Sequence, residues 1–220
     1  GWYDPAAGTF VRADGSEQNR FVPGGVIPNR YRPIDYILST GKEYINTGYT
    51  PHKGTKVVCR LLDNGTDTSK SYGAAFGSRM GYHQQRNLYM WLRRSGDNAP
   101  SYGRGGTEVT LDKSTFPFGE ITTVTCQGPT CSWVSDSGTK NNSIELTDYN
   151  TDHEEGYAPM LIFAVNSPST EGGCNPTDHW GFRLYSFQIY EGAELKRDFV
   201  PCVEIATGKA GLWDVVEGEF

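Results

Sequence analysis

The chain has no long apolar run, little methionine or histidine, and no segment with a sustained helical period. Its longest clean apolar run, Met160 to Val165, is six residues, far short of the roughly 20 that a membrane-spanning helix requires. Membrane insertion is therefore not expected. Only 3 Met and 4 His occur among 220 residues, and no Cys-x-x-Cys or Cys/His spacing suggests zinc. Basic residues do not gather in a run, and 20 Lys and Arg against 26 Asp and Glu leave a formal net charge of -6. A polyanion meets a repulsive average field, so no nucleic-acid partner is expected. Gly-x-Ser-x-Gly, His-Glu-x-x-His and phosphate-cradling glycine motifs are also absent, which removes the corresponding hydrolase, metallopeptidase and nucleotide-binding readings.

What is present is turn chemistry and aromatic side chains: 27 Gly, 12 Pro, 13 Tyr and 10 Phe. This profile fits many short strands joined by tight loops, and a chain of this length suits one large all-β unit. The clearest alternation lies near the C-terminal end. Arg183, Tyr185, Phe187 and Ile189 share one face, and Ser186 and Gln188 share the other. Glu191-Gly192-Ala193-Glu194 then supplies a Gly-X hairpin turn, and Leu195 to Cys202 returns as the partner strand.

Further strands are expected at Tyr44 to Tyr49, Lys56 to Leu62, Gly73 to Arg79, Asn87 to Arg93, Glu108 to Asp112 and Glu120 to Cys126. Others follow at Cys131 to Asp136, Asn142 to Leu146, Met160 to Val165 and Ala210 to Asp214, with Met160 to Val165 a central strand covered on both faces. Gly1 to Pro33 is rich in proline and glycine and poor in period, and reads as an irregular arm docked on the rest through aromatics such as Trp2, Tyr3 and Phe10.

Five cysteines cannot all pair with one another. Cys126 and Cys131 flank Gln-Gly-Pro-Thr, so a hairpin sets them opposite each other and a disulfide is expected there. Cys59 reads as a small buried apolar residue, and the pairing of Cys174 and Cys202 stays open. Export to an oxidising space is a mild preference on these grounds.

Three runs, RLYSFQIYEGAELKRDFVPC, GKAGLWDVVEGEF and YILSTGKEYINTGYTP, resemble the concanavalin A-like (laminin G-like) jelly-roll domain of bacterial secreted and surface proteins. The resemblance covers roughly residues 34 to 220 and is strongest at its two ends. It implies a two-sheet antiparallel β-sandwich over that span, preceded by the arm at 1–33. It also implies a place outside the cell or on its surface, with a glycan or a host or cell-surface glycoprotein as partner. Such folds host lectins, adhesins, spacers and some glycosidases, so the fold alone does not choose among them.

The segment Asn87 to Arg94 carries the candidate site. Leu88, Met90 and Leu92 belong to the core face, which leaves Tyr89, Trp91 and Arg93 in a row on the other. Rings about 7 Å apart suit the apolar faces of sugars, and an arginine supplies paired donors for hydroxyls or carboxylates. Arg79 and His83 are expected beside this row, with Tyr82 at the rim. The competing reading is that these aromatics only pack, under the arm or a long loop. Trp133, Trp180 and Trp213 are assigned to structure.

No cofactor is required. Calcium is the one candidate cation, at the acid-rich stretch Asp148 to Glu155 or, more weakly, at Asp63, Asn64 and Asp67. Glycosidases of this fold carry Glu-x-Asp-x-x-Glu or Glu-x-Asp-x-Glu on a strand, and neither pattern occurs here. The expected role is thus a non-catalytic carbohydrate-binding or adhesive module. The alternative is a structural or protein-interaction spacer, with a glycoside hydrolase last.

Overall fold

The computed structural model describes residues 2–4, 9–11, 17–22, 25–65, 70–80, 86–94, 99–147 and 156–220. His83, Tyr82, Asp67 and Asp148 to Glu155 lie outside the described residues, so the expected histidine and the main calcium stretch do too, whereas Asp63 and Asn64 are described and the Asp63 carboxylate accepts from the Trp180 indole and the Gly65 amide. Among the described residues there is no helix, and strands form two large antiparallel sheets and one small one.

The nine-stranded sheet runs Asn141–Glu145, Thr130–Ser135, Thr122–Gln127, Thr55–Leu62, Arg183–Glu191, Glu194–Glu204, Ala210–Asp214. Tyr31–Pro33 pairs with Glu194–Glu204, and Ile37–Leu38 pairs with Arg183–Glu191. The eight-stranded sheet runs Thr107–Thr110, Ser101–Arg104, Leu88–Arg93, Gly73–Ser78, Leu161–Ile162, Ile45–Asn46, and Val165–Asn166 and Pro176–Thr177 extend it beside Gly73–Ser78. The two sheets face each other across one core. Val57, Cys59, Leu61, Val124, Phe187 and Ile189 meet Phe76, Leu88, Met90, Leu92, Tyr102 and Ile162. The period-2 burial of Thr55–Leu62 and of Thr122–Gln127 shows why: every second side chain points into that core.

Four differences from the sequence reading have physical causes. The stretch expected as an irregular arm contains four short antiparallel strands, Trp2–Asp4, Thr9–Val11, Glu17–Val22 and Gly25–Ile27, paired in sequence order. Neighbouring three-residue strands leave too few alternations for a period to register. Ser101–Arg104 is a strand that composition hid, since Ser, Gly and Arg are poor strand signals.

Met160 to Val165 is not one strand. It is buried throughout as expected, but Phe163 takes a left-handed backbone conformation (φ 68°) and divides it into Leu161–Ile162 and Val165–Asn166. The fourth difference concerns the cysteines. Cys126 and Cys131 do sit opposite each other, but both are free thiols with their sulfurs 3.4 Å apart, as are Cys59, Cys174 and Cys202. Two cysteines set opposite by a hairpin need not be bonded, since register fixes which residues face each other and not their oxidation state. Burial pushes the Cys59 and Cys126 thiols up, so neither is a ready thiolate.

Candidate functional site

The face assignment of Leu88–Arg93 follows the sequence: Leu88, Met90 and Leu92 join the inter-sheet core, while Tyr89 and Trp91 form a separate cluster with Ala74 and Val165 on the opposite face. Its openness does not. Trp91 is 2% exposed and Tyr89 8%. The Trp91 ring is flanked by Tyr72 and Tyr89, each with its centroid 5.4 Å away, and the Arg79 guanidinium lies 5.2 Å from its centroid.

Tyr89 rests on Gly103 of the next strand so closely that a Cβ there would lie 2.1 Å from the ring. Arg79 pairs with Asp178 at 3.1 Å, and Arg93 donates from Nε to the Lys70 carbonyl at 2.6 Å. The structure therefore brings Tyr89, Trp91 and Arg79 together, but as a closed aromatic pad with no ring face left for a sugar. Gly73–Ser78 beside it is buried on both faces, which rules out an open outer surface for this part of the sheet.

The outer face of the nine-stranded sheet is different, and a bulge shapes it. Leu184 pairs with Leu61 and Ser186 with Arg60, so Tyr185 is one residue too many for its neighbour strand. The phase of the strand changes there. Leu184, Phe187 and Ile189 are buried in the core, while Tyr185, Ser186, Gln188 and Tyr190 are half-buried on the outside. The expectation that Tyr185 shares the core face with Phe187 and Ile189 is thereby corrected.

On this face the Tyr185 and Tyr36 rings lie 5.6 Å apart. Each has a guanidinium over it, Arg60 at 5.2 Å from Tyr185 and Arg183 at 4.8 Å from Tyr36. Farther along the same strand pair, the Lys56 ammonium lies 3.9 Å from the centre of Tyr190. Lys56 and Arg60 are four residues apart on one strand, so the two cation–aromatic groups are separated by about 13 Å. Only Asp136, paired with Arg60 through an exposed ion pair, sets an acid among these contacts. The sequence showed no basic cluster because Lys56 and Arg60 are four residues apart and Arg183 comes from a different strand.

A polar relay borders the row. The Tyr190 hydroxyl donates to Gln188 Oε1 at 3.0 Å, and Gln188 Nε2 donates to Asp198 Oδ1 at 3.1 Å. Asp198 is buried, and its Oδ2 has no hydrogen-bond partner. Burial, opposed by the Gln188 hydrogen bond and aided by the nearby Asp214 carboxylate, raises its pKa above the ordinary aspartate value. A carboxyl with a raised folded-state pKa helps stability below its unfolded pKa and loses that contribution as pH rises through the folded value. Asp198→Asn keeps the acceptor for Gln188 and removes the buried charge. Its melting temperature is expected to exceed the parent's at pH 7 to 8, with the gap closing toward pH 4. A variant less stable at pH 8 would show that the charge is compensated.

No group of three or more His, Cys, Asp or Glu side chains among the described residues is placed to hold a metal ion. Trp133, Trp180 and Trp213 are buried and structural, as expected.

No family model matches the chain, and no curated protein matches it. Among solved structures it is similar to domains LG4-5 of the mouse laminin α1 chain, at 9% identity over 76% of this chain and 42% of that one, with a TM-score of 0.42. It is similar also to the enzymatically active domain of tailspike protein 2 of bacteriophage CBA120, at 11% identity over 72% of this chain and 27% of that one, with a TM-score of 0.47. A third is the CBM40 of the Ruminococcus gnavus IT-sialidase bound to α2,3-sialyllactose, at 12% identity over 73% of this chain and 89% of that one, with a TM-score of 0.43. The chain thus spans less than half the length of the first two. Its two facing, mainly antiparallel sheets make it an all-β sandwich of jelly-roll type.

Proposed function

We propose that this chain is a non-catalytic glycan-binding module of a secreted or cell-surface protein, and that its contact face is the outer surface of the nine-stranded sheet around Tyr185. One observation carries the reading: two half-buried phenol rings 5.6 Å apart, held between two guanidinium groups, on the outer sheet face. Aromatic rings offer a platform for apolar sugar faces, and guanidinium forks offer paired donors to hydroxyls and carboxylates. In this reading Tyr89, Trp91, Arg93 and Arg79, the row expected from sequence, stiffen the opposite sheet rather than touch the sugar.

The non-catalytic part rests on the carboxylates themselves. Glu191 accepts from the Tyr49 and Thr55 hydroxyls, and burial, aided by that carboxylate, pushes the Tyr49 phenol up to about 12. Asp214 accepts from two backbone amides and pairs with Arg197. Both acids are committed to holding loops and strands, which leaves neither free to serve as the acid or the nucleophile of bond cleavage.

A glycan array run beside a hydrolysis assay tests the proposal. The parent chain is expected to retain at least one glycan class without product, and Tyr185→Ser with Arg60→Gln is expected to lose about tenfold or more in retention at an unchanged melting temperature. Retention untouched by these substitutions but abolished by Trp91→Phe would return the site to the buried pad. No retention at all would favour the spacer, and product formation a hydrolase.

A further inference from the structure

A second recess lies where the two layers meet beside the strand Ala210–Asp214. It encloses about 590 Å³, within the range of small-molecule sites. Ile37, Ile45, Phe163 and Leu212 line it, and all four belong to or pack against the main core. At its walls Leu38 and Tyr44 remain 60% and 43% exposed, and Phe220 is exposed as well. Large apolar side chains left in water at the edge of a core-lined hollow are an unspent burial of about 25 cal/mol per Å². Phe163 itself is bulky and left-handed, a strained conformation that concentrates at ligand sites. It is held there by bonds from its own amide to the Ala75 carbonyl and from the Trp180 amide to its carbonyl.

Charge gives the recess a direction. Lys209 lines one end and has no ion-pair partner among the described residues. Glu43, the one acid among the described residues of the same lining, stays ionised, but its charge is shared with hydrogen-bond donors of its own turn. It accepts from the Thr40 hydroxyl and amide, the Ser39 hydroxyl and the Lys42 amide, and the Thr40 bonds chiefly hold its carboxyl down at about 2. At the far end of the strand a smaller hollow of about 260 Å³ shares Ile45, Leu212 and Phe220 and is walled by Asp214, Glu217 and Glu219 together with Arg197, which pairs with Asp214 and Glu217 and leaves an acidic excess. Lys209 and Asp214 stand about 17 Å apart at strand spacing. One end thus attracts an anion, the middle is apolar, and the other end repels an anion.

We propose that this recess binds a medium-chain aliphatic carboxylate, its head at Lys209 and its tail over Ile45, Phe163 and Leu212. The head is placed by the Lys209 ammonium, which lies 5.8 Å from the centre of the Phe220 ring and has no carboxylate partner among the described residues, and the tail by the apolar lining. The acidic hollow sets the polarity and bars the reverse orientation. The site is separate from the Tyr185 and Arg60 contacts of the sheet face, although Tyr36 borders both.

The test is an NMR titration of the full chain with decanoate, decanol and decylamine, each below the concentration at which it self-associates. Decanoate is expected to shift the signals of Leu38, Ile45, Lys209 and Gly211 and to bind at least tenfold more tightly than decylamine. Lys209→Gln, at an exposed position, is expected to weaken decanoate about tenfold and leave decanol unchanged. Leu38→Glu, also exposed, is expected to weaken decanoate while preserving the melting temperature. Equal binding of amine and carboxylate, the absence of shifts at these residues, or shifts in the parent chain that follow protein concentration because a second copy fills the recess, would each overturn the proposal. Loss of glycan retention in Tyr185→Ser with decanoate binding intact would keep the two sites distinct.

Discussion

Arg104→Met is expected to lower stability by about 3 kcal/mol or more, which for a chain of this size is a fall of roughly 6 to 12 °C in melting temperature. Arg104 lies on the core face of Ser101–Arg104 and is 5% exposed. Its guanidinium crosses to the turn that opens Thr55–Leu62 in the other sheet, donating to the carbonyls of Thr55 at 3.0 Å and of His52 and Lys53 at 2.7 Å each. Methionine fills similar space but donates nothing, so buried carbonyls lose their partners and the two layers lose a tie at one end of the core. Arg104→Lys keeps the charge but not the planar fork, and should fall between the two. Thermal melts by circular dichroism at neutral pH decide the matter; a drop below about 1 kcal/mol would mean that water takes over these bonds.

Trp180→Ala carries a comparable or larger cost, about 3 to 5 kcal/mol, through the cavity it opens. Trp180 is 1% exposed, packs in the inter-sheet core, and donates its indole N–H to Asp63 Oδ2 at 3.0 Å. Its ring lies against Gly73 so closely that a Cβ there would come within 2.1 Å of it. Trp180→Phe separates the two contributions, since it keeps most of the packing and loses the donor. Gly73→Ala offers an independent reading of the same contact: it is expected to destabilise by displacing the indole, by roughly 1 to 3 kcal/mol. If Gly73→Ala melted with the parent, the close approach of ring and strand would be wrong.

The architecture was legible wherever one face of a strand is wet. Thr55–Leu62 and Thr122–Gln127 alternate clearly, as does the hairpin strand from Phe187 to Ile189, because solvent on one side enforces the contrast. Legibility failed where both faces are covered. Leu88–Arg93 alternates in size but not in polarity of environment, so the pattern located the two faces of the strand and could not say that the Tyr89 and Trp91 face is roofed. Burial by distant segments leaves no local mark.

The candidate site was missed for a related reason. A bulge is invisible to a period-2 count, and Tyr185 therefore fell on the wrong side of the strand. The one available signal was Leu184, a large aliphatic residue standing out of phase in the alternation that Phe187 and Ile189 continue. Tyr36 and Arg60 lie far away in sequence and join Tyr185 only through pairing across three strands.

Because Tyr185 is the residue without a counterpart on the neighbouring strand, it is held by its own chain and not by the ladder. Its side chain can be exchanged while the hydrogen-bonded frame on either side stays as it is. Position 185 thus tolerates exchange with little penalty to folding, whereas removing the extra residue would turn Arg183 and Leu184 over and push a guanidinium into the interior.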